Sequence, residues 1–136
     1  MVAGLTPTAL DEGSLAAAIR RQCDRLAAET GIAVRLSVDD VPALGMATDV
    51  VLLRATQEAF ANIRKHSRAT DVLVRVATAA DHVQLSLQDN GIGLDVDHVE
   101  GFGLRGMRSR VAQVGGAMSV STTPGGGLTV TIEVPA

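Results

Sequence analysis

The sequence has no tryptophan, no tyrosine and only two phenylalanines in 136 residues. Any core must therefore be aliphatic. There is one cysteine, Cys23, so no disulfide can close within the chain, and a reduced, cytoplasmic setting fits. No secretory signal pattern is present, nor any run of about 18 apolar residues, so nothing here is predicted to span or contact a membrane. Lysine is almost missing: Lys65 is the single one among 12 basic residues. Those basic residues are scattered and the net charge is −3, which argues against nucleic-acid binding as the main task. What remains is 46% hydrophobic, which excludes a disordered chain. The length suits one domain that buries roughly two thirds of its unfolded surface.

Residues 1–13 carry Pro and Gly without periodicity and read as a linker; residues 14–136 read as one domain. From Ser14, Leu15, Ile19, Cys23 and Leu26 recur at helical spacing, with Gly31 as the stop. "IAVRLSVDD" alternates as a strand does, and "VPALGM" is a loop. A helix is predicted from Thr48 to about His66. Val72, Val74 and Val76, then Val83, Leu85 and Leu87, mark two strands joined through "TAADH". "LRGMRSRVAQVGG" reads as a helix, and "MSVST" and "LTVTIEV" as a strand pair turned by "TPGGG". Clustered strand pairs between helices predict an α+β, two-layer sandwich: a mixed, mostly antiparallel sheet with helices on one face.

On a wheel at about 100° per residue, Leu52, Ala55, Thr56, Ala59, Phe60 and Ile63 fill one apolar arc of the long helix. Glu58, Asn62, Lys65 and His66 form a stripe along its edge, His66 falling inside the arc. Such a stripe is either a solvated helix face or a row of ligands at the rim of a cleft. A carboxylate and an amide oxygen suit a hard cation such as Mg²⁺, while an ammonium and an imidazole suit phosphate oxygens.

"QDNGIGLDVD" ends a strand with Asp89, Asn90 and two glycines, Gly91 and Gly93. Asn-Gly normally signals a hairpin, yet no strand follows directly. A carboxylate at a strand end can accept the exocyclic amine of adenine, and glycines let the backbone approach a flat base; an Asx-type turn acid is the alternative. "GFGLRG", from Gly101 to Gly106, matches a dinucleotide-binding fingerprint, but it lacks the preceding strand and the following acid that fold requires. A flexible loop capping a helix accounts for it too. Either way a glycine-rich start to a helix offers backbone N–H groups to an anion.

In order and spacing, "RATQEAFANIRKHS", "DNGIGL", "GFGLRGM" and "GGAMSVSTTPGGG" resemble the ATP-binding domain of two-component sensor histidine kinases, most of all the nitrate-sensor type. Even "LTPTALDEGSLAAAI" resembles that subfamily's link from dimerisation helices to ATP domain. The resemblance implies the Bergerat fold, with ATP and Mg²⁺ as cofactors. It implies Asn62 as Mg²⁺ ligand, Glu58 as the acid supporting metal and reaction, and Lys65 and His66 near phosphate or ribose. Asp89, Gly91 and Gly93 match the first glycine box, around adenine. Gly101, Gly103, Leu104, Gly106 and Met107 match the second, around the phosphates, with Leu94 to Glu100 as a short lid.

Three departures stand out. No histidine lies in the acid- and Arg-rich helical setting of a phosphoacceptor, so the chain is expected to be one domain of a larger protein and not to autophosphorylate alone. Leu128 stands where the family usually has a Thr facing the adenine pocket, and Ser109 where an acid is common. The implied partners are a phosphoacceptor and dimerisation domain of the same protein and a downstream response regulator. The piece is expected to be a monomer and the full-length protein a dimer, which the resemblance allows to be membrane-anchored. An anti-sigma-factor serine kinase and a nucleotide-dependent interaction module without transfer are the alternative functions.

Overall fold

A computed structural model describes residues 14–92, 104–122 and 126–136, apart from the side chains of His66 and Ser67. The elements, in chain order, are α1 (Leu15–Thr30), β1 (Ala33–Val38), α2 (Met46–Asn62) with a π-helical turn (Ile63–Ser67), β2 (Asp71–Ala79), β3 (His82–Asp89), α3 (Arg105–Gln113), β4 (Ala117–Thr122) and β5 (Leu128–Pro135).

Helix α1 starts where Ser14 Oγ accepts from Ala17 N at 3.2 Å, and ends on Gly31 at φ 78°, whose N–H reaches Ala27 O. Its buried face is Ala18, Ile19, Cys23 and Leu26. The burial of Cys23, with Asp24 adding to it and Arg20 opposing, pushes the thiol up to about 11. Helix α2 buries Leu52, Ala55, Thr56, Ala59 and Phe60, as the wheel predicts. Thr56 is tolerated there because its hydroxyl donates to Leu52 O at 3.0 Å, leaving no unpaired polar atom.

The five strands lie in the order β1-β2-β3-β5-β4. Strands β1 and β2 run parallel, and every other neighbouring pair is antiparallel. The period-2 pattern sorts side chains cleanly. Val72, Val74, Val76, Val83, Leu85, Leu87, Val130, Ile132 and Val134 are buried with the helix residues in one core cluster. Arg75, Ser119 and Ser121 on the other face are exposed. Fully burying one such aliphatic side chain contributes about 1.5–3 kcal/mol, so this row holds the sheet to its helices without large aromatics. Phe60 on α2, in the same core cluster, is the largest fully buried side chain among the described residues.

The expected two-layer α+β sandwich with a mixed sheet is therefore present, with two local corrections. The α-helix expected to run to His66 ends at Asn62 and continues as the π-helical turn. The link expected over "TAADH" is tighter: Thr78 and Ala79 belong to β2 and His82 to β3, leaving Ala80 and Asp81 as the turn.

Candidate functional site

Strand β3 alternates half-buried and buried positions, with Val83, Leu85, Leu87 and then Asp89 on the core side. A carboxylate thus closes a row of aliphatic residues, and Asp89 is only 5% exposed. Burial raises its carboxyl above the usual range, while the backbone N–H groups of Gly91 and Leu128 pull the other way. Gly91 N donates to Asp89 Oδ1 at 2.8 Å, so the Asx-type turn foreseen as the alternative does form. A turn alone has no need of burial, however, and a desolvated carboxylate is costly unless something polar meets it.

Two neighbours fix this strand end. Asn90 ties the end of β3 to the start of β2. Its Oδ1 accepts from Thr70 N and Asp71 N, both at 2.9 Å, and its Nδ2 donates to Thr70 Oγ1 at 3.0 Å. On the other side, Leu128 is the register partner of both Asp89 and Thr122. Leu128 is half-buried and packs against the core. Before it, Gly127 is buried at φ +93° with its Cα against the Asp89–Asn90 backbone.

Strand β2 starts at Asp71, four positions after the π-helical turn ends at Ser67. Asn90 ties that start to the end of β3, so Asp89 and the C-terminal end of α2 share one end of the sheet. On α2, Glu58 and Asn62 are half-buried, one turn apart. Asn62 Nδ2 is buried and has no hydrogen-bond partner among the described residues. An orphaned amide of this kind calls for an explanation. A ligand is one, since the amide is a hard-cation ligand through its oxygen and a donor through its nitrogen. The described residues contain no cluster of three or more His, Cys, Asp or Glu able to hold a metal.

Beyond Asn62 the expected stripe changes. Ile63 is still buried as the wheel predicts, but a π-helical turn winds through less than the ~100° per residue assumed for the wheel, so positions 64–67 cannot be placed on it. Lys65 is exposed, and the side chain of His66 lies outside the description. Helix α3 brings Leu104, fully buried, and Met107, 3% exposed, into the core. Leu104 can therefore offer a ligand its backbone and not its side chain. Gly106 is exposed beneath the Arg110 guanidinium, which lies 3.6–4.0 Å from where its Cβ would be. Gly93, Gly101 and Gly103, with the lid between the glycine boxes, lie outside the described residues.

Between α2 and α3 opens a cleft of about 170 Å³, lined by Val51, Arg54, Gln57, Glu58, Met107 and Arg110. A larger cavity, about 350 Å³, is lined by Leu15, Val38 and Val76 at the opposite ends of the strands from Asp89. It has no part in this site. Sequence reasoning missed Gly127, the Asn90 clamp and the two cleft arginines. Only the first left a trace, in "PGGG".

The family described as "Histidine kinase-, DNA gyrase B-, and HSP90-like ATPase" matches residues 47–136, from the start of α2 to the last residue. The chain belongs to this family. Among relatives of this ATPase domain, the signal transduction histidine-protein kinase/phosphatase UhpB of Salmonella typhimurium is 36% identical over 132 residues, covering 94% of this chain and 26% of the relative. The sensor protein VraS of Staphylococcus aureus is 35% identical over 86 residues, covering 62% of this chain and 25% of the relative. The chain thus spans about a quarter of the length of these curated relatives. Solved structures share the fold. The histidine kinase domain of a blue-light activated kinase from Erythrobacter litoralis superposes with a TM-score of 0.77 at 21% identity, over 98% of this chain and 66% of that one. The ATP binding domain of PrrB from Mycobacterium tuberculosis gives 0.71 at 23% identity, over 90% and 93%.

Proposed function

We propose that this ATPase-family domain is the ATP-binding catalytic part of a sensor histidine kinase. It binds Mg²⁺-ATP and presents the γ-phosphoryl group to a histidine on a separate dimerisation domain of the same protein, in two-component signalling with a response regulator downstream. The observation that carries the reading is the presence, at one end of the sheet, of a desolvated carboxylate and of an amide whose buried nitrogen has no partner among the described residues. Asp89 takes the exocyclic amine of adenine. Asn62 supplies an oxygen to Mg²⁺, and Glu58 supports the metal and the reaction one turn further along α2. Lys65 and His66 attend the phosphates or ribose. Gly91 and Gly93 border the base, and Gly101, Gly103, Leu104 and Gly106 offer backbone N–H groups to the phosphates, with Met107 beneath them. Catalysis of this kind is mainly positioning and charge neutralisation.

The relatives reported above are a signal transduction histidine-protein kinase/phosphatase and a sensor protein, which favours this reading over an anti-sigma-factor serine kinase. No helix among the described residues is long and apolar enough to cross a membrane. The use of ATP assigns this segment to the cytoplasmic side of whatever anchor the full protein has. In isolation it is a monomer, because dimerisation belongs to the other domain.

Calorimetric titration with ATP and ADP, with and without Mg²⁺, tests the reading. Wild type binds both nucleotides and binds ATP more tightly with Mg²⁺. Asn62→Ala loses the Mg²⁺ dependence while still binding metal-free ADP. Metal dependence that survives in Asn62→Ala would return Asn62 to the solvated helix face. Phosphoryl transfer from γ-labelled ATP to a supplied dimerisation domain, and not to this chain alone, separates the kinase from a module that only binds.

A further inference from the structure

Arg54 and Arg110 face the same cleft as Glu58, from two different helices. Both arginines are exposed. Among the described residues, the ion pairs are those of Arg25 and Arg64 with Glu29, and the His82 ring approaches the carboxylates of Asp81 and Glu133. Arg54, Arg110 and Glu58 thus line one small cleft without pairing among the described residues, two cations to one anion. That arrangement is uneconomical for a salt-bridged surface, where Arg54 and Glu58 at i, i+4 would be free to close on each other. It suits a ligand carrying more negative charge than Glu58 can supply.

The position of the cleft says which ligand. Adenine is assigned to Asp89, at the end of the sheet where α2 finishes. Going back along α2 come Asn62, then Glu58, then Arg54, one turn at a time. Arg54 stands eight positions, or about 12 Å of helix axis, before Asn62. The order from the sheet end outward is therefore base acid, metal amide, acid, arginine pair. A nucleoside triphosphate laid along this line has its last phosphoryl group beyond the metal, towards the cleft. Guanidinium groups suit phosphate oxygens through paired N–H donors.

We infer that Arg54 and Arg110 form a clamp for the terminal phosphoryl dianion of the bound nucleotide, so that the cleft reads the presence of a third phosphate. The inference rests on the nucleotide reading of the same site. The clamp discriminates ATP from ADP, because ADP ends short of it.

The test is the ATP-to-ADP affinity ratio of the chain in Mg²⁺, measured by calorimetry for wild type, Arg54→Ala, Arg110→Ala and the two Lys variants. ATP affinity is expected to fall at least fivefold in each Ala variant, ADP affinity to stay within twofold, and Lys to restore part of the loss. Retained ADP binding certifies the fold of each variant. If one Ala variant does not fold, the corresponding Gln variant takes its place. An unchanged ATP-to-ADP ratio in both Ala variants overturns the clamp and leaves the nucleotide reading standing, as does an equal loss for both nucleotides. Failure of the wild-type chain to bind ADP at all overturns both.

Discussion

Gly127 is held against the backbone of Asp89 so closely that a Cβ there would overlap the Asp89 carbonyl oxygen and come within 2.9 Å of Asn90 Cα. Its φ of +93° is one that side-chain-bearing residues rarely adopt. Two requirements, conformational and steric, thus fall on one residue beside the adenine acid. Gly127→Ala is expected to destabilise the domain by about 1–3 kcal/mol from backbone strain alone and to weaken nucleotide binding by displacing Asp89. Thermal unfolding and ADP titration of the variant check both effects. A variant with wild-type melting and affinity would mean that the β3–β5 strand end is much softer than its packing indicates.

Asp89 trades stability for binding. Burial raises its carboxyl pKa. A group whose folded pKa is raised contributes stability below its unfolded value, near 3.8, and loses it as the pH climbs through the higher folded value. Above that folded value the ionised Asp89 is therefore a net cost to the empty domain. Asp89→Asn should raise the melting temperature at pH 7, and the gain should vanish near pH 3.5. Nucleotide binding should fall sharply, since a charge-assisted bond is worth about 1.5–3 kcal/mol. A melting curve for Asp89→Asn below wild type at pH 7 would show that the Gly91 and Leu128 N–H groups outweigh desolvation.

Leu128 is both a core neighbour and the register partner of Asp89. Leu128→Thr removes part of its apolar burial, a loss on the order of 1 kcal/mol, and puts a hydroxyl beside the carboxylate. The expected outcome is a melting temperature lower by a few degrees with ATP affinity two- to tenfold higher, the gain of one hydrogen bond of about 0.5–1.5 kcal/mol. Unimproved affinity would assign Leu128 to the core alone.

The Cys23 thiol, pushed up to about 11 and buried among Ile19 and Leu26, stays protonated at neutral pH. A thiol-reactive probe at pH 8 should modify it only at the rate at which α1 opens, and fully in denaturant. Fast labelling of the folded chain would contradict the packing of α1.

Sequence alone went far here, because the elements follow simple periods. Alternating valines marked β2, and the spacing of Leu52, Thr56, Ala59 and Phe60 marked the buried face of α2. Asp89 was legible as an acid that broke the pattern. The π-helical turn was not, since "IRKHS" continues a helical rhythm and one change of winding leaves no compositional mark. The role of Asn90 was hidden for a different reason: its partners Thr70 and Asp71 lie 20 and 19 positions away, and only strand pairing brings them near. The cleft arginines were invisible because a helix face of Arg and Gln reads as solvated until a second helix is laid beside it.

The Asn90 clamp also has a kinetic meaning. Its amide oxygen holds two consecutive N–H groups, those of Thr70 and Asp71, at the start of β2, and its own N–H reaches back to Asp71 O at 3.3 Å. The Thr70 and Asp71 amides share the Asn90 Oδ1 acceptor, so displacement of the Asn90 side chain frees both, and separation of the β2 and β3 ends frees the Asn90 amide with them. In deuterated water they should exchange as a single unit, and a nucleotide seated at Asp89 should slow all of them by the same factor.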